Sequence, residues 1–312
     1  MSTVVSIDVT PPHDPDAVWR LEGELFLPAG DPPDTVQLLL SGLTYDRRYW
    51  TAPGALGYTR HAAGEGYAVL ALDRPGTGGS VHPPADQVTV DSNVAAVHQV
   101  IAALRRGAPG LPAFRHVVAV GHSLGSGIAL IESTRHRDLD ALVVTGLMHA
   151  FGPLYPEVIP ALYPAAEDPL LAPANPPENY LTTRPGRRAA LYEHHAGMHP
   201  GMSEYHEETK STVTSGEGFT LEAIYQPETA AGVNVPVLLV MGQEDRLFGG
   251  GDASTDDAES VVAYERKFYT GTTDLEAFVV PRAAHSLNVH RTAPSWYRAA
   301  HEWLARRGPA HE

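Results

Sequence analysis

The run His116-Val117-Val118-Ala119-Val120-Gly121-His122-Ser123-Leu124-Gly125, continued by Ser126-Gly127-Ile128-Ala129-Leu130-Ile131-Glu132, decides how this chain folds. Five mostly apolar residues suit a strand buried on both faces. The stretch after Gly125 reads as the start of a helix, and between them lies G-x-S-x-G. Strand, five-residue turn and helix together form the nucleophile-elbow signature. A serine on so sharp a turn sits in strained backbone geometry. Side chains two positions to either side would collide with neighbouring backbone, and glycines at 121 and 125 remove that collision.

Working outward, further short apolar runs lie at 36–40, 67–72, 141–147, 235–241 and 275–280. Residues 18–27 alternate apolar and polar, as a half-exposed edge strand does. They end at Pro28 and the cluster of Gly30, Asp31, Pro32 and Pro33. Residues 50–66 read as helical. In 91–106, Val94, Val97, Val100, Ile101 and Leu104 fall at helical spacing, and Gly107 and Pro109 stop that helix. A last helix carries Trp296, Ala299, Ala300, Trp303 and Leu304 along one stripe. Short buried strands alternating with amphipathic helices predict an α/β fold with a mostly parallel, doubly wound sheet and helices on both faces.

The alternation breaks after Leu147. From 148 to 232 the composition shifts towards Pro, Tyr, His and Met without a strong strand. The expected organisation is therefore a core of 1–147 and 233–312 with a mostly helical insertion at 148–232, including a helical piece near 184–195.

Composition sets outer bounds. The 312 residues are 43% hydrophobic and 19% charged, enough to bury a large core. A formal net charge of −15 disfavours nucleic acid or an anionic membrane as partner. With no cysteine in the chain, disulfides, a thiolate nucleophile and Cys-bound zinc are excluded. The first residues lack a basic region followed by an apolar stretch, and no window is long enough to span a bilayer, so the expectation is a cytoplasmic protein.

A serine becomes a good nucleophile when a histidine takes its proton and a carboxylate holds that histidine in the right tautomer. Loops at the C-terminal ends of the strands converge beside the elbow. Two of them supply candidates: Gly242-Gln243-Glu244-Asp245, with Glu244 competing with Asp245, and Ala283-Ala284-His285-Ser286. The chain order Ser123, Asp245, His285 is the one expected for this elbow type. His195 and His199 are spaced for one helix face, but Pro200 follows and no glutamate lies between them, so no metal is expected.

These motifs resemble the α/β-hydrolase fold superfamily from about residue 20 to the C-terminus. Asp73-Arg74-Pro75-Gly76-Thr77-Gly78-Gly79-Ser80 is similar to its D-x-x-G-x-G-x-S loop, a structural element in such proteins. The 148–232 insertion sits where the family carries its cap. Ser41-Gly42 stands where the family usually has His-Gly. By resemblance, backbone N–H groups of Leu43 and Leu124 form the oxyanion hole. The resemblance implies a serine hydrolase without cofactor or metal, acting on a small acyl substrate: a carboxylic ester, lactone or thioester. A serine rather than an aspartate at the elbow points to acyl chemistry. Carbon–carbon hydrolysis and acyl transfer use the same triad, and a non-catalytic small-molecule receptor is the alternative from another class. His149, Phe151 and Tyr45 are the expected substrate contacts, the first two because they follow the strand ending at Leu147.

Overall fold

The computed structural model describes residues 2–31, 33–108 and 110–307; Pro32 and Pro109, two of the expected chain breakers, lie outside them, as do the last residues of the expected core. The core opens with strands β1 (Ser2–Val9), β2 (Trp19–Phe26) and β3 (Thr35–Leu40), then helix α1 (Tyr58–Gly64) and strand β4 (Ala68–Leu72). Helix α2 (Val90–Arg106), strand β5 (His116–His122), helix α3 (Leu124–His136) and strand β6 (Ala141–Thr145) follow. Residues 148–232 hold strands β7 (Leu162–Pro164), β8 (Tyr180–Thr183) and β9 (Val213–Thr214). Four short helices accompany them: α4 (Arg187–Tyr192), α5 (Met202–Glu208), α6 (Ser215–Thr220) and α7 (Pro227–Ala231). Strand β10 (Val237–Gly242), helix α8 (Ala258–Glu265), strand β11 (Leu275–Val280) and helix α9 (Ala293–Ala305) complete the chain.

Eight strands form one sheet in the order β1-β2-β4-β3-β5-β6-β10-β11. Every pair from β4 to β11 is parallel, while β2 runs antiparallel to both β1 and β4. This is the mostly parallel sheet flanked by helices that the apolar runs predict. Helices α2 and α3 pack together against β5, and α1 and α9 pack together against the strands on either side. All five apolar positions expected of α2 are buried, and Thr89 and Ser92 close its N-terminus with a reciprocal capping box.

Three departures have local causes. The half-exposed strand β2 is not the edge, because β1 pairs with it over its full length. In β1, Val5, Ile7 and Val9 are buried while Val4, Ser6 and Asp8 face outward, the alternation of a strand with one covered face. The helix expected over 50–66 is confined to α1, since Pro53, Gly54 and Gly57 leave only a 3-10 turn before it. In 148–232 the expected short helices are joined by the antiparallel sheet β7-β8-β9, whose strands of two to four residues are too short to leave a periodic signal.

One buried cation ties the core to this insertion. Arg74, fully buried, donates from Nε to the Ser41 carbonyl at 2.9 Å and from Nη2 to the Gly42 carbonyl at 3.1 Å. Its Nη1 reaches Asn93 Oδ1 at 3.0 Å and pairs with the equally buried Glu217 carboxylate. Glu217 in turn closes the capping box of α6 within the insertion. Removing one partner of such a pair leaves an uncompensated buried charge. Glu217→Ala is therefore expected to cost roughly 3–5 kcal/mol of unfolding free energy, read from urea denaturation, whereas breaking an exposed pair such as Arg20–Asp8 should barely move the unfolding midpoint. A loss at Glu217 no larger than at Asp8 would contradict the assignment.

Candidate active site

Ser123 occupies the N-cap of α3 at φ 52°, ψ −118°, a left-handed conformation few non-glycine residues adopt. The turn is forced by close approach on both sides. A Cβ on Gly125 would overlap the Leu40 and Ser41 carbonyl oxygens, and one on Gly121 would overlap the backbone of Ser126. The Ser123 N–H donates to the Thr145 carbonyl at 2.8 Å, and its own carbonyl accepts from Ser126 and Gly127. The strained residue is thereby fastened to β6 and to the first turn of its helix.

The loops after β10 and β11 meet beside it. His285 Nδ1 donates to Asp245 Oδ2 at 3.0 Å, with both residues buried. Asp245 Oδ1 accepts from the N–H of Leu247 at 2.8 Å and of Phe248 at 3.3 Å, which fixes the carboxylate in the loop. Glu244, the competing acid, is exposed. Gly242 lets the two loops touch, since a Cβ there would overlap the Ala283 carbonyl. An imidazole whose Nδ1–H is given to a buried carboxylate keeps Nε2 free to accept a proton.

Ser123 and His285 line one cavity together with Leu43, Leu124 and Tyr45. As the first residue of α3, Leu124 carries one of the N–H groups that find no acceptor within a helix. Its other walls come from Leu247 and Phe248 of the core and from the insertion, notably Tyr155, Tyr192, Ile224 and Tyr225. Apart from Ser123, His285 and the tyrosine hydroxyls, the lining is apolar. Ser41, in place of the family's usual histidine, donates its hydroxyl to the Asp46 carbonyl at 2.8 Å, and its own carbonyl takes the Arg74 guanidinium. The loop carrying Leu43 is thus braced internally.

Two of the three expected substrate contacts lie elsewhere. His149 gives both its N–H and Nδ1 to the buried Glu265 carboxylate, at 2.9 and 2.7 Å, which draws its ring onto Phe268. Phe151 is half-exposed and packs on Tyr155 and Tyr225, two rings whose other sides face the cavity. Tyr45 alone is in the lining. His195 does not start a helix but a 3-10 turn over His195–Gly197, so the face expected to hold His195 and His199 does not form.

Several neighbours carry no sequence signal. Tyr45 Oη contacts His206 Nε2 at 2.9 Å and Ser286 Oγ at 2.5 Å, while His206 Nδ1 donates to Glu193 Oε1 at 2.7 Å. This chain joins the oxyanion-side loop, the insertion and the residue beside His285. His122, directly before Ser123, stacks on Tyr49 at 4.5 Å. Its position is an unrestricted x of the motif. Burial holds the imidazoles of His122 and His206 neutral, well below the ordinary histidine range.

His290 shapes the loop bearing His285. Its Nδ1 donates to the Ser286 carbonyl at 2.9 Å, and Nε2 accepts from the N–H groups of His194 at 3.0 Å and Ala284 at 3.3 Å. Burial pushes its pKa down to about 4. Because the folded value lies below the unfolded value of about 6.5, the neutral ring's contribution is complete above that pH and is lost as pH falls towards 4. Urea denaturation between pH 6.5 and 4 should show falling stability, with a slope shallower by about 1 kcal/mol per pH unit in His290→Gln. Equal slopes in the two proteins would refute this.

Comparison with known proteins places the geometry in context. Sequence comparison with curated proteins finds no match. Among solved structures, the chain is similar to the monoacylglycerol lipase of Paleococcus ferrophilus, with 19% identity, 92% of this chain and 99% of that chain covered, and a TM-score of 0.64. It is also similar to the enol-lactonase of Burkholderia xenovorans LB400 (16% identity, 96% and 100% covered, TM-score 0.61). The esterase PF2001 of Pyrococcus furiosus matches at 15% identity with 98% and 92% covered and a TM-score of 0.56. At such identities these likenesses bear on the fold. The family model described as "Alpha/beta hydrolase family" matches residues 37–300, and the chain belongs to that family.

Proposed function

We propose that the protein is a serine hydrolase cleaving a carboxylic ester, lactone or thioester, with Ser123, His285 and Asp245 as catalytic triad. The observation that carries this reading is the meeting of Ser123 and His285 in one cavity while His285 Nδ1 is held by the buried Asp245. In this mechanism Ser123 Oγ attacks the acyl carbonyl as His285 Nε2 takes its proton. The tetrahedral oxyanion is received by the backbone N–H groups of Leu43 and Leu124. Nε2 then returns the proton to the leaving oxygen or sulfur, and the carbonyl re-forms as an acyl-serine. Water attacks by the same route and releases the acid, restoring the serine. Asp245 orients the imidazole and stabilises its charged form.

Residues 148–232 act as a cap in this reading. Tyr155, Tyr192, Ile224 and Tyr225 from that segment give the acyl or alcohol portion an apolar enclosure. Such walls suit a substrate of moderate size with little charge. The structural neighbours include an esterase and an enol-lactonase, and the carbonyl chemistry is common to both.

A fluorophosphonate probe should label the wild-type protein and leave Ser123→Ala unlabelled. On a panel of p-nitrophenyl esters, lactones and acyl thioesters, Asp245→Asn should lower kcat by ~10³–10⁴-fold, while Glu244→Gln changes it less than about twofold. Unlabelled, folded wild-type protein would favour the receptor alternative. Equal losses at 244 and 245 would remove Asp245 from its role.

A further inference from the structure

Helices α2 and α3 pack side by side, and at the C-terminal end of α3 three ligating side chains converge. Glu132 on α3 is fully buried, yet neither carboxylate oxygen has a hydrogen-bond partner among the described residues. Asp138, just past the helix, turns towards it, with Oδ1 equally unpartnered. His98 on α2 brings Nδ1 to 3.5 Å from Glu132 Oε1 and 2.9 Å from Asp138 Oδ2. That nitrogen also makes no hydrogen bond, so the shorter approach is misdirected for an N–H donor. The three groups crowd one another, with one atom from each within 4.8 Å of the other two.

We propose that His98, Glu132 and Asp138 bind a divalent first-row transition-metal ion, with zinc as the best match, which clasps α2 to α3.

Geometry, donor chemistry and charge all support this assignment. Two ligands each 2.0–2.2 Å from a tetrahedral ion stand about 3.4 Å apart, close to the separations of His98 from the two carboxylates. One imidazole with two carboxylates suits zinc and its neighbours, whereas calcium and magnesium prefer oxygen alone. Two facing carboxylates in a buried setting need a positive charge or a proton between them. The nearest guanidinium, Arg105, is taken up by the Asp138 and Arg115 carbonyls and the Asp140 carboxylate. A cation here also meets the negative end of the α3 dipole.

Access and distance define the ion's role. The side chains of His98 and Asp138 are 38% and 23% exposed, giving an entry from solvent and room for water to complete the coordination. Glu132 lies nine residues beyond Ser123 on the same helix, about 14 Å along its axis. The ion would therefore steady the helix that carries the elbow without touching the substrate.

The test uses full-length, tag-free protein stripped with a chelator and titrated with zinc. Calorimetry should find one tight equivalent, and the melting temperature should rise by about 5 °C at a hundredfold excess over Kd. Both effects should vanish in Glu132→Gln and in His98→Ala. Each variant is compared with itself with and without zinc, so a lower starting stability does not obscure the result, and His98, half-exposed, is the milder change. No tight equivalent in wild type, or binding and stabilisation undiminished in both variants, overturns the proposal. A wild type indifferent to zinc together with a more stable Glu132→Gln would show that a shared proton, not a metal, settles the carboxylate pair.

Discussion

The approach of the β5–α3 turn to the end of β3 is the constraint on which the rest of the molecule depends. Gly125 lies against the Leu40 and Ser41 carbonyls with no space for a Cβ, so α3 must leave the sheet at that point and in that direction. Ser123 is held left-handed as a result, at a cost of order 1–3 kcal/mol. That strain is offset by bonds from Ser123 and Ser126 to Thr145, which make the neighbouring strand part of the turn. The same contact sets the distance between the Leu43 loop and the serine. The placement of Ser123 and the packing of α3 on the sheet thus depend on the same close approach of two backbones.

Most of the core was legible because a strand buried on both faces writes a continuous apolar run, and five of the strands do so, with β11 at the edge only partly buried. The serine, acid and histidine positions were legible for a related reason: each follows such a run directly. The sequence already favours Asp245 over its neighbour Glu244, and burial separates the two acids in the structure, Asp245 being buried and Glu244 exposed. Strand β1 carried its alternation in plain view, but eight residues at a chain terminus look like an arm until a partner strand covers one face. His149 and Phe151 were misassigned because position after a strand says where a loop starts and not where its side chains turn. For His149 that was decided by Glu265, more than a hundred residues away.

The insertion was the least legible part, and its physics explains why. Its strands are two to four residues long, its helices five to seven, and its buried polar groups are satisfied partly by one another and partly by the core. Lys210 pairs with Asp168 inside it, but the Thr212 hydroxyl bonds Gly76, and Thr214 bonds Val88. A segment organised by partners distant in sequence leaves little periodicity to read. The Tyr45–His206–Glu193 chain belongs to the same class of feature: three elements contribute to it, and none has a motif.

The buried Arg74–Glu217 pair has a consequence for how such proteins diversify. Arg74 also grips the carbonyls of Ser41 and Gly42, so residues 148–232 and the loop that faces Ser123 are held by one cation. Exchanging residues 148–232 for those of a relative without an acid at 217 would leave the buried Arg74 with Asn93 and two carbonyls but no opposite charge, unless position 74 changed in the same step. Single replacements of cavity-wall residues such as Tyr155 or Ile224 leave this pair intact, whereas exchange of the whole segment calls for paired changes.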